Sequence, residues 1–235
     1  MTPIVPLSRE EFERLPRTAL GKRSIFKPAV WRVETPSGPV VVKDAGENRI
    51  GTRWLARWLI ARECAVLRRL AALDGVPRLV GTIHRDAIVL NLVAGRTLDA
   101  RMFRERPRAV FEQIVELTRR LHAVGVFHLD MHQRKNLLVD DEGRLHLVDF
   151  GASLAPGPIV RALLGPALRH ADHQAAYKYM ARYAPEALTD EEARTVLRHR
   201  RVRSLWPFSP HSQRERRAAL GRLRASDRDA RSDSP

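Results

Sequence analysis

Asp130, Asn136 and Asp149 are side chains of the types that hold metal ions and move protons, and they fall within a span of twenty residues. The sequence around them, G-V-F-H-L-D-M-H-Q-R-K-N-L-L-V-D-D-E-G-R-L-H-L-V-D-F-G over residues 125–151, supplies a way of bringing them together. Residues 137–139 and 145–148 are short apolar runs separated by Asp140, Asp141, Glu142 and Gly143, a pattern that predicts two strands joined by a turn. Paired antiparallel, these strands place Asn136, just before the first, close to Asp149, just after the second. A carboxylate and an amide oxygen in proximity form a hard-oxygen site that suits Mg2+ carrying nucleotide phosphates. Asp130, on the loop ahead of the first strand, is placed to accept a proton from an attacking hydroxyl.

The elements needed to position such a cleft can be read upstream. Residues 29–34 and 40–43 read as strands either side of a Pro36-Ser37-Gly38-Pro39 turn. From about residue 52 to 73, Leu55, Leu59, Ala61, Ala65, Val66, Leu70 and Leu73 can share one broad helical face, which Gly75 and Pro77 bring to an end. Residues 79–83 and 87–93 read as two further strands around His84-Arg85-Asp86. A helix follows, with Val110, Ile114, Leu117, Leu121 and Val124 as its buried stripe, and it leads into the loop that carries Asp130.

The strand, strand, helix, strand, strand order, followed by H-x-D, the asparagine, a strand pair and D-F-G, resembles the protein-kinase-like superfamily. That resemblance implies an α+β, two-lobed fold, with a small β-rich N-lobe over residues 1–93 and a shortened helical C-lobe over 94–208. It implies ATP as phosphoryl donor, Mg2+ held by Asn136 and Asp149, and Asp130 as the catalytic base. It also implies that Lys43 touches the α/β-phosphates, that Glu63 pairs with it from the following helix, and that Gly21 belongs to a phosphate-covering loop. Three departures qualify the match. Asn136 follows Asp130 by six residues where the family shows five, which places one extra residue among Gln133, Arg134 and Lys135. Leu129 replaces the arginine that would engage a phosphorylated activation loop. In the segment 20–27, only Gly21 remains of the family's two or three glycines.

Beyond D-F-G the chain parts from ordinary protein kinases. Residues 159–168 and 171–183 look helical, where those enzymes have an extended activation segment. Ala184-Pro185-Glu186 precedes a helix start with Thr189 as N-cap and Glu192 in capping-box position. The chain is too short for a full helical subdomain, so it is more similar to the compact atypical members, RIO-type kinases and lipopolysaccharide-core sugar kinases. The acceptor this implies is a hydroxyl of a protein or of an anionic glycolipid. His132, two residues past Asp130, matches a histidine of small-molecule phosphotransferases. A nucleotide-binding scaffold with little turnover is the alternative, given the sparse glycine loop and the altered catalytic loop.

Composition sets bounds on these readings. The chain has 235 residues, 44% of them apolar, which is enough for a real core. A single cysteine, Cys64, excludes an internal disulfide framework and fits a reducing cytoplasm. The N-terminal residues do not have the pattern of a signal peptide, and no run is long and apolar enough to span a bilayer. The net charge is +15, and only five of the 42 basic residues are lysine, so a lysine at a strand end carries weight. Arginines from Arg194 to Arg224 surround Leu205-Trp206-Pro207-Phe208, which suggests peripheral contact with an anionic membrane, such as the inner face of the cell membrane. Nucleic acid is the weaker candidate partner. Residues 209–235 are expected to form a basic, unstructured tail. Trp54 and Trp58, one turn apart, read as packing residues.

Overall fold

A computed structural model of the chain describes residues 7–22, 24–203 and 213–232. A five-stranded antiparallel sheet forms the small lobe, in the order β1 (Arg17–Ala19), β2 (Ala29–Thr35), β3 (Gly38–Asp44), β5 (Ala87–Asn91), β4 (Leu79–Ile83). Helix α2 (Ile50–Arg69) lies between β3 and β4 in sequence. The period-two alternation of β3 fixes what each face does. Val40 and Val42 point to one side, where they pack with Val33, Ile83, Val89 and Phe12 of the short helix α1 (Arg9–Arg14). Lys43, one residue on, points to the opposite side and into the cleft. Asp44 returns to the α1 side, where Arg9 grips it with two hydrogen bonds of 2.8 and 2.9 Å.

The second lobe opens with a three-stranded sheet, β6 (Arg96–Thr97), β7 (Leu137–Val139) and β8 (Leu145–Leu147), paired antiparallel in that order. Helices α3 (Ala100–Glu105) and α4 (Pro107–Ala123) precede the catalytic loop. Val110, Ile114, Leu117 and Leu121, the expected stripe of α4, are all buried. Val124 is the exception, 41% exposed just past the helix end. After the D-F-G segment come α5 (Pro158–Tyr183), α6 (Asp190–Arg203) and α7 (Gln213–Ser232). One core runs from α2 through Phe150 and β7–β8 to α4 and α5, so the lobes share buried apolar surface at the level of D-F-G. The fold is α+β and kinase-like, with a small antiparallel lobe and a helical one.

Four expectations need correction. One is the face of α2, where Ala61 and Ala65 are exposed and Ala56, Ile60, Cys64 and Leu67 join Val66 on the buried side. The helical stretch after D-F-G is one helix rather than two, and it carries Pro166 in its interior. The segment expected as an unstructured tail contains α7, which packs on α5 and α6, buries Ala219 and carries Leu223 against the core. Trp54 and Trp58 are 68% and 54% exposed, on the outer face of α2, and the Arg62 guanidinium lies 4.9 Å from the Trp58 ring. The Leu205-Trp206-Pro207-Phe208 segment lies outside the described residues. Among the described residues no helix is long and apolar enough to cross a membrane.

Candidate active site

Lys43 is the hub of the cleft. Its ammonium lies 2.7 Å from a carboxylate oxygen of Glu63 on α2 and 2.7 Å from Oδ1 of Asp149, the aspartate of D-F-G. Glu63 is buried, and its Oε1 also accepts the Phe150 backbone N–H at 3.1 Å. One glutamate therefore ties Lys43, helix α2 and the D-F-G turn into a single arrangement. Burial alone would push the Lys43 pKa down; Glu63 and Asp149 together outweigh it, and the net shift is upward. Burial would push the Asp149 pKa up, but the Lys43 ammonium outweighs it, with help from the Gly151 N–H and Lys135, and the net shift is downward. Both groups are thus kept charged around neutrality.

Asp149 owes its position to the strand pair and to an unusual backbone. Leu137 pairs with Leu147, and the Val148 N–H donates to the Asn136 carbonyl at 2.8 Å, which sets Asn136 beside the start of D-F-G. Asp149 itself has φ 64° and ψ 77°, a left-handed conformation that is uncommon for a residue other than glycine. It turns the chain straight from β8 into the 3-10 turn Phe150–Ala152, anchored by Phe150, which is fully buried.

Asn136 and Asp130 meet directly. The buried Asn136 amide nitrogen donates to the Asp130 backbone carbonyl at 2.9 Å and to its carboxylate at 3.1 Å. With its nitrogen used in this way, the amide presents its oxygen as the atom a cation would take. Asn136 and Asp149 then supply two hard oxygens. That number suits Mg2+, which binds one or two protein oxygens and completes its shell with phosphate and water. Among the described residues no cluster of three His, Cys, Asp or Glu side chains forms an all-protein cage.

The register change in the catalytic loop has a visible consequence. Gln133, in the segment with the extra residue, donates its amide to both Asp130 carboxylate oxygens at 2.7 and 2.5 Å. Residues Arg134–Asn136 then close a 3-10 turn that returns Asn136 to the site. Gly21 stands apart from this network. It lies just past β1, in the hairpin loop to β2, at φ +126°, where a side chain would meet nothing and only the backbone conformation demands glycine. That loop is tied down by Asn48, whose side-chain amide donates to the carbonyls of Ile25 and Lys27 at 3.0 and 3.1 Å.

Asp172, which sequence reasoning missed, and His128, the histidine of H-x-D, hold the loop that carries Asp130. Asp172 of α5 is 1% exposed. It accepts the backbone N–H of His128 at 2.9 Å, that of Leu129 at 2.7 Å, and His122 Nε2 at 3.0 Å. Leu129 sits at φ 62°, a strained conformation for a large side chain, and the Asp172 carboxylate fixes it there. His128 is fully buried; its Nε2 faces the Val148 carbonyl at 3.3 Å, and its Nδ1 accepts the Asp130 N–H at 3.3 Å. A single neutral tautomer satisfies both contacts, and burial lowers its pKa in the same sense. The signal for Asp172 was present, since it is the first acid after Asp149. Without contacts it could not be told from a surface residue. His132 lies at the edge of the loop, its carbonyl accepting from the Lys178 ammonium at 3.3 Å.

Comparison with known proteins agrees with this geometry. Residues 41–157 match the family model described as RIO domain, a part of the protein-kinase-like superfamily. The chain is 31% identical over 165 residues to CBL-interacting protein kinase 25 of Oryza sativa subsp. japonica, covering 64% of this chain and 31% of the relative. It is 33% identical over 155 residues to CBL-interacting protein kinase 19 of the same plant, covering 63% and 29%. To CBL-interacting serine/threonine-protein kinase 21 of Arabidopsis thaliana it is 33% identical over 86 residues, covering 34% and 20%. The chain spans less than a third of the length of these relatives.

Proposed function

Because the chain belongs to the protein-kinase-like superfamily, in its compact atypical branch, we propose that it is an ATP-dependent phosphotransferase with an alcohol group as acceptor. The observation that carries this reading is the Lys43 ammonium bridging Glu63 and Asp149 at 2.7 Å each, with Asn136 and Asp130 joined to the same network through β7 and β8. An ammonium, a cation-binding oxygen pair and a proton acceptor gathered in one cleft are what phosphoryl transfer requires, since positioning and electrostatics supply most of its catalysis.

In this reading Lys43, held by Glu63, orients the α- and β-phosphates. Asn136 and Asp149 would hold Mg2+, which supplies charge neutralisation on the phosphates when bound. Asp130 orients the acceptor hydroxyl and takes its proton. The Gln133 amide occupies both Asp130 oxygens here, so the acceptor takes the place of that exposed side chain as it binds. The segment 91–93, between the lobes, would present backbone groups to the adenine. The acceptor is a protein serine or threonine, or a sugar hydroxyl of an anionic glycolipid such as a lipopolysaccharide core. His132 beside Asp130 and the basic charge of the chain favour the glycolipid.

A second reading, a nucleotide-binding scaffold with little turnover, draws on the loop 20–27, whose only glycine is Gly21. Transfer from γ-labelled ATP to protein and glycolipid acceptors separates the two. An active enzyme labels one acceptor class, and Asp130→Ala lowers the rate by about a hundredfold or more while nucleotide affinity stays close to wild type. Equal, slow ATP turnover by both proteins would establish the scaffold.

A further inference from the structure

The first half of α5 turns an aliphatic face to solvent. Ile159, Leu163 and Leu164 are 76%, 75% and 53% exposed, and Val160 is 47% exposed. At about 100° per residue these four fall on one arc of the helix, together with the exposed Pro166 and Ala167. The other side carries Arg161, buried Gly165 and Arg169. A Cβ on Gly165 would meet Arg169 at 3.4 Å and Arg161 at 3.7 Å, and one on Gly125 would lie 2.7 Å from an Arg161 guanidinium nitrogen. Gly165 is thus the position turned to the body of the protein, while Arg161, reaching over Gly125, and Arg169 flank it at exposed positions and the aliphatic side chains face solvent. A surface helix normally turns such aliphatic side chains inward. Residues 150–171 contain no Asp or Glu, and the chain as a whole carries +15.

We propose that this face docks the protein on an anionic lipid bilayer. The helix lies in the plane of the interface, with Ile159, Val160, Leu163 and Leu164 at the acyl boundary. Arg161 and Arg169, on its flank, are within reach of the lipid phosphates. Charge decides between the two simplest occupants of the patch. Pairing two copies through it would bring two +15 chains together, and four aliphatic side chains fall well short of the roughly 800 Å² per partner of a standard interface. A negatively charged surface removes the repulsion and needs no matching contour. Docking does not depend on the phosphotransferase reading. If that reading holds as well, α5 starts nine residues after Asp149, and the acceptor hydroxyl belongs to a lipid of the same bilayer.

Cosedimentation of the full chain with vesicles, without nucleotide, tests this. The chain should bind vesicles of phosphatidylcholine and phosphatidylglycerol in equal parts and largely ignore phosphatidylcholine alone. The double variant Ile159→Gln/Leu163→Gln, changed only at exposed positions, should keep its melting temperature and lose about tenfold or more in partitioning. Equal binding to both vesicle types, or an unaltered double variant, would overturn the proposal. So would a wild-type dimer in sedimentation velocity that the double variant abolishes while neither protein binds vesicles; that result would assign the face to a second copy of the chain.

Discussion

Every charged group at the centre of the cleft depends on another, and this makes single changes informative. Replacing Lys43 by methionine leaves Glu63, 4% exposed, buried without its cation, and should cost about 3–5 kcal/mol in urea unfolding as well as phosphoryl transfer. Gln133→Ala removes hydrogen bonds to both Asp130 oxygens from an exposed position. It should leave unfolding nearly unchanged and alter turnover by several-fold to about tenfold, read as kcat with nucleotide affinity constant. The pH dependence follows from the directions of the shifts. Lys43 is raised, so its contribution is complete below 10.5 and is lost as pH rises through the higher folded value. Asp149 is lowered, so its contribution is complete above 3.8 and is lost as pH falls through the lower one. Inside that window it is burial of neutral His128 that sets the slope: stability is complete above 6.5 and falls as pH drops below it. Melting temperature should decline on acidification from 6.5, and His128→Asn should flatten the decline in part, because His173 is lowered in the same direction.

At the scale of elements, local pattern decided what could be read in advance. The alternation in β3 and the apolar stripe of α4 are periodic, so strand and helix were legible from residues 40–43 and from Val110 to Leu121. So was the hairpin that brings Asn136 beside Asp149, because turn chemistry at 140–143 sets its register. The capping box at Thr189 and Glu192 was legible for the same reason, and both of its hydrogen bonds are present at 2.8 and 3.2 Å. What could not be read depends on distant partners. The reading of separate helices over 159–168 and 171–183 put a break where α5 runs on without interruption, with Pro166 accommodated in its interior. Asp172 matters only through atoms more than forty residues away. Asp172→Ala would strand two backbone donors and His122, and should cost about 3 kcal/mol or more, with faster amide exchange at Leu129 than in wild type. The opposite outcome, full stability with lost activity, would show that the loop is held by something else.

Across the whole molecule, the helical lobe is completed from its C-terminal end. Ala219 and Leu223, at helical spacing among arginines, were masked by the polar composition of that stretch, yet α7 closes over α5 and α6, with Arg222 donating to the Leu188 carbonyl at 3.0 Å. Ending the chain after Arg203 should therefore lower stability and raise exposure of apolar surface to a fluorescent dye; a truncation as stable as the full chain would refute that packing. The two lobes meet where Glu63 accepts from both Lys43 and Phe150, so nucleotide and cation should be sensed together there. Calorimetric titration of ATP with and without Mg2+, on wild type and Asp149→Asn, tests the central claim most directly. Wild type should bind ATP more tightly with Mg2+, and the variant should lose that gain while still binding the nucleotide alone. A wild-type affinity indifferent to Mg2+, or a variant that keeps the full gain, would contradict the assignment of this cleft.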